Sequence, residues 1–80
     1  MRTEALEYLN DLLVEEHGKK LLENELFIDS GVDSFGTTVV IMEMDAKYGC
    51  FDNEWFTEVL GSIETLKVSD ILDRIEYGTN

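Results

Sequence analysis

Apolar residues recur at intervals of three and four positions in four stretches of this chain, and none of these stretches alternates apolar with polar residues as a strand would. The spacing predicts helices, because residues three and four apart share one side of a helix. The third stretch is the shortest, with Asp52 or Asn53 as its N-cap. We place the helices at residues 3–17, 34–48, 53–61 and 68–77. The chain is therefore predicted to be all-α, a small bundle of three main helices plus one short helix.

A long first loop, residues 19–33, joins the first two predicted helices. A loop of this length in a small domain is often functional. Its many apolar residues predict that it packs over the core rather than extending into solvent. They are Leu21, Leu22, Leu26, Phe27 and Ile28.

The second predicted helix has apolar residues on two opposite sides, since each residue advances about 100° around the axis. The side expected to face the core holds Thr37, Val40, Ile41, Met44 and Tyr48, and the opposite side holds Phe35, Val39, Met42 and Ala46. Two opposed stripes indicate either a central helix that is buried all round or a helix that shows an apolar patch to a partner. We favour the second, because a small domain cannot readily bury a helix on every side.

The chain is strongly acidic, with 18 acidic residues against 6 basic ones and a formal net charge of −12. That charge repels phosphate backbones and anionic lipid, so it argues against nucleic acid or membrane insertion and favours basic protein surfaces. The single cysteine, Cys50, excludes an internal disulfide, gives no support for a zinc cluster, and is expected to be a small apolar filler. No secretory signal or membrane-length apolar run is present. We expect one free-standing domain over residues 1–80, a monomer in the cytoplasm.

Two Asp-Ser pairs lie close together in the stretch DSGVDSFG. Ser30 is followed by Gly31 within the loop, so its expected role is a turn closed by the Asp29 side chain. Ser34 is followed at once by the amphipathic pattern of the second helix. It therefore lies at a helix N-terminus, where free N–H groups and the helix dipole favour an anion such as a phosphate. The simpler interpretation is that Asp33 or Ser34 only caps the helix.

The oxygen-rich stretch also suggests a calcium loop, but the spacing is wrong. An EF-hand loop needs glycine at its sixth position and glutamate at its twelfth. Counted from Asp29, those positions hold Ser34 and Val40. We therefore predict no metal site.

GVDSF, residues 31–35, resembles the Gly-x-Asp-Ser-Leu/Phe motif of the acyl carrier protein family. The similarity extends to the acidity, the length, the helix pattern and the long first loop, and KVSDILDRI is similar to the last helix of many carriers. DSFGT is particularly similar to D-alanyl carrier proteins, and DAKYG to peptidyl and aminoacyl carriers.

The resemblance implies a carrier that catalyses nothing itself. Ser34 would be esterified by the 4′-phosphopantetheine of coenzyme A, beside Asp33, and the thiol of that arm would hold an acyl or aminoacyl group as a thioester. The implied partners are a phosphopantetheinyl transferase, a loading ligase or acyltransferase, and a downstream synthase or transferase. The partner-facing residues would be Phe35, Gly36, Val39, Met42, Glu43, Asp45 and Ala46.

The chain departs from fatty-acid carriers on this helix, because Gly36, Val39, Ala46 and Lys47 occupy places that are often acidic there. An apolar face of this kind indicates a dedicated partner, with the overall charge steering the approach. Trp55 and Phe56 are expected either to pack in the core or to border the cargo or the partner. The alternative function is an unmodified acidic helical module for protein interactions.

Overall fold

Four α-helices form where the apolar pattern predicts them, and the computed structural model describes residues 2–49 and 51–78. Two short 3-10 helices, Phe27–Ser30 and Ile63–Thr65, lie between them. The described residues contain no strand, only an isolated bridge between Leu26 and Lys67. The all-α prediction is confirmed. The helices are α1 (Arg2–Glu15), α2 (Ser34–Tyr48), α3 (Asn53–Gly61) and α4 (Val68–Tyr77).

Short polar side chains start the second and third helices. Asp33 caps α2, and the Asp52 carboxylate accepts the N–H of Trp55, which identifies Asp52 rather than Asn53 as the cap of α3. At the start of α4, the carboxylate of Asp70 accepts the N–H of Lys67. These local bonds set helix starts that agree with the sequence pattern to within a residue.

The end of α1 differs from the prediction, because the helix stops at Glu15 and not at His17. His17 takes the left-handed position, with φ 68°, and Gly18 donates its N–H to the carbonyl of Leu13 at 2.8 Å. This is the arrangement of a Schellman motif, in which glycine usually holds the left-handed position. Gly18 is instead required by packing, since a Cβ there would collide with Val32 Cγ2.

The core is formed mainly by α1, α2 and α4, with α3 as the smallest contributor. Val59 is the one buried residue of α3. The completely buried side chains of the other helices are Leu9, Leu13, Val40, Ile41, Met44, Val68 and Ile71. Within each helix these residues lie on one side, at spacings of three or four positions or next to each other. The core face of α2 is therefore the one that the periodicity predicts.

The first loop does pack over the core, but with fewer anchors than its composition suggests. Leu21 and Phe27 are buried, whereas Leu22 and Ile28 are exposed. The Asn10 side chain forms two hydrogen bonds with the backbone of Leu21, and Phe27 N–H donates to the Leu66 carbonyl at 2.8 Å. The loop is therefore fixed to α1 and to the segment before α4.

Arg2 joins three parts of the chain through its guanidinium. It bonds Glu23 of the first loop and Glu76 of α4, and Asp73 lies 2.9 Å away. The hydrogen bonds to Glu23 and Glu76 raise the pKa of Arg2 above its already high usual value. The start of α1 is thus fixed against the loop and α4.

The cysteine and the membrane-spanning potential of the helices were also considered in the sequence. Cys50 lies outside the described residues. None of the helices in residues 2–49 and 51–78 combines the length and the apolar character needed to cross a bilayer.

Candidate functional site around Ser34

Asp33 is the N-cap of α2, and Ser34 is its first helical residue. The Asp33 carboxylate accepts the N–H of Gly36 at 2.7 Å, and its carbonyl accepts the N–H of Thr37 at 2.8 Å. Helix capping is therefore the work of Asp33, and the Ser34 side chain is not used for it.

Ser34 itself is exposed at the start of α2. Within the part of the chain that the structure describes, its Oγ has no hydrogen-bond partner, and the backbone N–H groups of Ser34 and Phe35 have no acceptor. Unsatisfied N–H groups at the positive end of a helix dipole favour a negatively charged group. An exposed, unbonded hydroxyl and a preference for an anion therefore coincide at this position.

Ser30 has a structural role in the loop. It is buried at the end of a 3-10 helix, its Oγ accepts the N–H of Val32 at 3.3 Å, and its carbonyl accepts the N–H of Lys19 at 2.9 Å. Gly31 follows with φ 83°. The sequence predicts a turn at Ser30 that is closed by the Asp29 side chain. The turn is present, but the Ser30 hydroxyl forms its side-chain hydrogen bond. The carboxylate of Asp29 is exposed and forms no hydrogen bond with the described residues.

An open, largely apolar groove of about 320 Å³ begins beside Ser34. One wall is the first loop and the other is the end of α3 with the 3-10 helix that follows. Besides Ser34, the groove is lined by Ile28, Val32, Thr37, Thr38, Leu60 and Ile63. We call it the Ser34 groove. Its apolar walls suit an apolar chain. The Thr38 hydroxyl, which donates to the Ser34 carbonyl at 3.0 Å, is a polar group near the serine.

The sequence pattern did not identify Leu60 and Ile63 as groove residues. Leu60 falls in the apolar stripe of α3, but it is 42% exposed and faces the groove rather than the core. The apolar pattern of a helix predicts which of its residues share one side. It does not predict which other segment of the chain that side will contact. No local signal distinguishes Leu60 from a core residue.

The outer side of α2 is exposed, so the helix is not buried all round. Phe35 is 77% exposed and Met42 is 58% exposed. Of the other residues expected to face a partner, Ala46 and Glu43 are exposed and Val39 is half-buried. We call the line through Phe35, Val39, Met42 and Ala46 the α2 ridge.

Two residues expected on that partner surface are held by internal contacts. Gly36 is buried, which corrects its placement, because it lies beneath the Val32 side chain and leaves no surface to offer. Asp45 is half-buried, and its carboxylate accepts the N–H of Phe51 at 3.1 Å. It therefore helps to fix the connection from α2 to α3.

Trp55 packs within an aromatic cluster and does not line the Ser34 groove. Its ring stacks on Phe51 with centroids 4.3 Å apart, and the Arg74 guanidinium lies 5.5 Å from its centroid on the indole ring. Phe56 meets the Phe51 ring edge to face at 5.9 Å. The cluster attaches α3 to the core, which favours packing over contact with cargo for both residues.

No metal centre is evident among the described residues, where no three His, Cys, Asp or Glu side chains converge as ligands. The chain was also compared with known proteins. No protein-family model, curated protein or solved structure matches it.

Proposed function

We propose that this protein is a carrier that holds an acyl or aminoacyl group as a thioester on a 4′-phosphopantetheine arm attached to Ser34. The observation that carries the proposal is the position of Ser34 Oγ. It is an exposed, unbonded hydroxyl at the first residue of a long helix, with an apolar groove beginning next to it.

The residues around Ser34 suit a phosphodiester. The free N–H groups of Ser34 and Phe35 favour its negative charge, and Asp33 is occupied as a cap through one carboxylate oxygen. The same carboxylate lies next to the serine in sequence, where it suits a divalent cation brought by a modifying enzyme. This chain therefore provides the hydroxyl that is modified and the free N–H groups that favour the phosphate, while the base and the cation come from the partner.

Attachment is a phosphoryl transfer from coenzyme A. Ser34 Oγ forms the new P–O bond, the pyrophosphate bond of coenzyme A breaks, and adenosine 3′,5′-bisphosphate leaves with the electron pair. The hydroxyl proton passes to a base of the transferase. The thiol of the arm then supplies the position at which cargo is held as a thioester.

The Ser34 groove supports a carrier role in a second way. Thioesters react with water and other nucleophiles, so a carrier benefits from a nearby apolar surface that shelters its cargo. Ile28, Leu60 and Ile63 provide such a surface within the groove. The other polar side chains that line the groove are those of Thr37 and Thr38, whose hydroxyls are weak nucleophiles without a base.

The α2 ridge is the surface that we propose for carrier partners. Phe35 follows the attachment serine directly, so an enzyme that reaches the arm also meets this ring. Exposed Phe35 and Met42 give apolar contacts, and the net charge of −12 attracts basic surfaces from a distance. This arrangement favours a dedicated loading ligase or acyltransferase and a matching downstream enzyme over the strongly basic docking sites of fatty-acid synthesis.

Mass spectrometry tests the proposal. Incubation of the purified chain with coenzyme A, Mg²⁺ and a broad-specificity phosphopantetheinyl transferase should add one arm. Ser34→Ala should abolish the addition. Ser30→Ala is the matched control and should be modified normally, because Ser30 is buried and faces the loop interior. An unchanged mass for the wild-type chain would refute the carrier proposal.

A second candidate function is an acidic interaction module that needs no modification. The observation that favours it is the α2 ridge, which is an exposed apolar surface irrespective of Ser34 chemistry. Under this alternative, no arm is added and Ser34→Ala leaves the affinity for any partner unchanged.

A further inference from the structure

The two methionines of α2 lie in opposite environments. Met42 is 58% exposed and Met44 is completely buried, although they are only two positions apart. Two positions correspond to about 200° around the helix axis, so the side chains point to nearly opposite sides. The third methionine, Met1, lies outside the described residues. Met42 is therefore the methionine of α2 that a solute in water can reach.

The Met42 side chain has no place in the core to which it can withdraw. The inner side of α2 is filled by Val40, Ile41 and Met44, which are completely buried. On the outer side its helix neighbours are Val39, one turn before it, and Ala46, one turn after it. Both are shorter than methionine and do not cover it. The thioether is thus accessible from solvent without any unfolding of α2.

An accessible thioether reacts with peroxides, which convert a flexible apolar side chain into a polar sulfoxide. A lone pair of Met42 Sδ attacks one oxygen of hydrogen peroxide, so that an S–O bond forms and the O–O bond breaks. The second oxygen leaves with both protons as water. Sulfur is thus oxidised and the peroxide is reduced. Hydrogen peroxide is uncharged, so the net charge of −12 does not keep it away from the chain.

Met42 differs chemically from the other large apolar side chains that the described residues expose. Those are Val14, Leu22, Ile28, Phe35, Leu60 and Tyr77. Hydrocarbon side chains do not react with dilute peroxide, and a phenol requires a one-electron oxidant. Within the part of the chain that the structure describes, peroxide therefore changes this exposed apolar surface at Met42.

The α2 ridge depends on Met42 for much of its apolar contact. Phe35 and Met42 are two turns apart, so they lie along one side of α2, separated by about 10 Å along the axis. Val39 between them is half-buried, and Ala46 beyond Met42 is small. Phe35 and Met42 are thus the two large side chains that a partner meets on the ridge. A sulfoxide at Met42 would place an oxygen in that contact, where it loses water without gaining a hydrogen bond.

We propose that Met42 is a modification site whose oxidation by hydrogen peroxide weakens the docking of carrier partners on the α2 ridge. This role depends on the carrier function and the partner surface proposed above. The fold is unaffected, because the sulfoxide lies on the solvent side of α2. Methionine sulfoxide reductases reverse the oxidation, so the change is a switch and not a permanent loss. Partner enzymes then act more slowly on the chain under oxidising conditions, without any change at Ser34.

Peroxide treatment of the full chain without its arm tests the site. Trypsin cleaves after Lys20 and Lys47, which places both methionines of α2 in one peptide and Cys50 in the next. Fragment masses should show the added oxygen on Met42, with Met44 oxidised at least about tenfold more slowly, because its sulfur is reached only when the helix opens. Retention on a hydrophobic column under native conditions should fall, and this measurement needs neither arm nor partner. Equal oxidation of the two methionines, or unchanged retention, would overturn the proposal.

The kinetics of arm attachment by the phosphopantetheinyl transferase measure docking. Peroxide should raise KM for the wild-type chain about tenfold and leave kcat nearly unchanged, as expected when one of two large apolar contacts is lost. Met42→Leu, compared with itself before and after the same treatment, should not respond, which excludes Met1, Met44 and Cys50 as the cause. Met42→Gln should show the lower retention and the higher KM without peroxide. Leu22→Gln, which changes a more exposed side chain outside the ridge, should keep the wild-type KM.

The results distinguish a failure of the Met42 switch from a failure of the carrier function. A wild-type chain that accepts no arm would refute the carrier function and the docking role that depends on it, while the oxidation pattern and the retention still decide whether Met42 is the modified residue. An oxidised chain that accepts the arm with an unchanged KM would overturn the switch and leave the carrier function in place. Treatment of the oxidised chain with methionine sulfoxide reductases should restore both the retention and the KM.

Discussion

Val32 Cγ1 packs against the bare backbone of Gly36, so closely that a Cβ on Gly36 would lie 2.5 Å from it. The other methyl group of Val32 meets Gly18 at the end of α1 in the same way. One valine is thus enclosed between two glycines from different elements. This contact fixes the loop against the first turn of α2, and so it sets where Asp33 and Ser34 lie.

Gly36→Ala should therefore destabilise the protein although alanine is the better helix former. The gain in helix propensity is about 1 kcal/mol, whereas overpacking of this kind costs typically about 1–3 kcal/mol. The cost should be in the upper part of that range, because the χ1 angle of a valine is stiff and the methyl group cannot easily move away. Urea unfolding measures the difference.

Two variants check the cause of that loss. Val32→Ala combined with Gly36→Ala should recover part of the stability that Gly36→Ala alone loses, since the clashing methyl group is gone. Gly61→Ala is the matched control, because a Cβ there meets nothing within 4 Å. It should be neutral or slightly stabilising, and a Gly36→Ala variant that behaves like it would contradict the packing explanation.

We expect Asp33 to be required for helix capping and Ser34 to be required only for attachment of the arm. Asp33→Ala removes the acceptor for the Gly36 N–H and should cost about 0.5–2 kcal/mol of unfolding free energy. Ser34→Ala removes an exposed, unbonded hydroxyl and should change stability by less than about 0.5 kcal/mol. Asp29→Ala serves as the control for the loss of an exposed carboxylate. If Ser34→Ala proved as destabilising as Asp33→Ala, the serine would have a structural role.

The Ser34 groove should shelter the end of an attached acyl chain. We expect Leu60→Gln to leave arm attachment intact but to increase contact between cargo and water, since Leu60 lines the groove at 42% exposure. A trifluoromethyl group at the end of a hexanoyl cargo reports this contact through its relaxation by a soluble paramagnetic agent. Leu22→Gln, which changes a more exposed leucine outside the groove, should have no effect. Equal relaxation in all three proteins would remove the groove from the carrier proposal.

Tyr48 should make the protein less stable at high pH. Burial raises the pKa of the Tyr48 phenol, and Glu4 and Tyr8 raise it further. The neutral phenol is thus favoured in the folded state, and its contribution is complete below the ordinary pKa of about 10 and is lost as the pH rises through the higher folded value. Urea unfolding of Tyr48→Phe between pH 9 and 12 should show a smaller fall in stability than the wild type. The same fall in both would exclude Tyr48 as its source.

The sequence predicted that α2 begins at Ser34 because the contacts that start this helix join residues close together in the chain. Asp33 reaches the N–H of Gly36 three residues away, and the periodic pattern of α2 begins at Ser34. The sequence also predicted that Phe35 and Met42 face outwards. It placed Gly36 wrongly on the partner surface, because a helical wheel does not include the loop residue Val32 that covers this glycine.

The amino-acid sequence by itself determined the four helices, the acidic charge, the start of α2 at Ser34 and the two-sided character of that helix, since all of these depend on composition or on residues within about one turn of each other. Only the tertiary structure decided that Leu60 and Ile63 meet Ser34 across a groove, that the Arg74 guanidinium lies on the Trp55 indole ring, and that Glu15 and Glu43 lie around one apolar surface. Those relationships join residues far apart in the chain. They depend on how the helices pack, which no local pattern specifies.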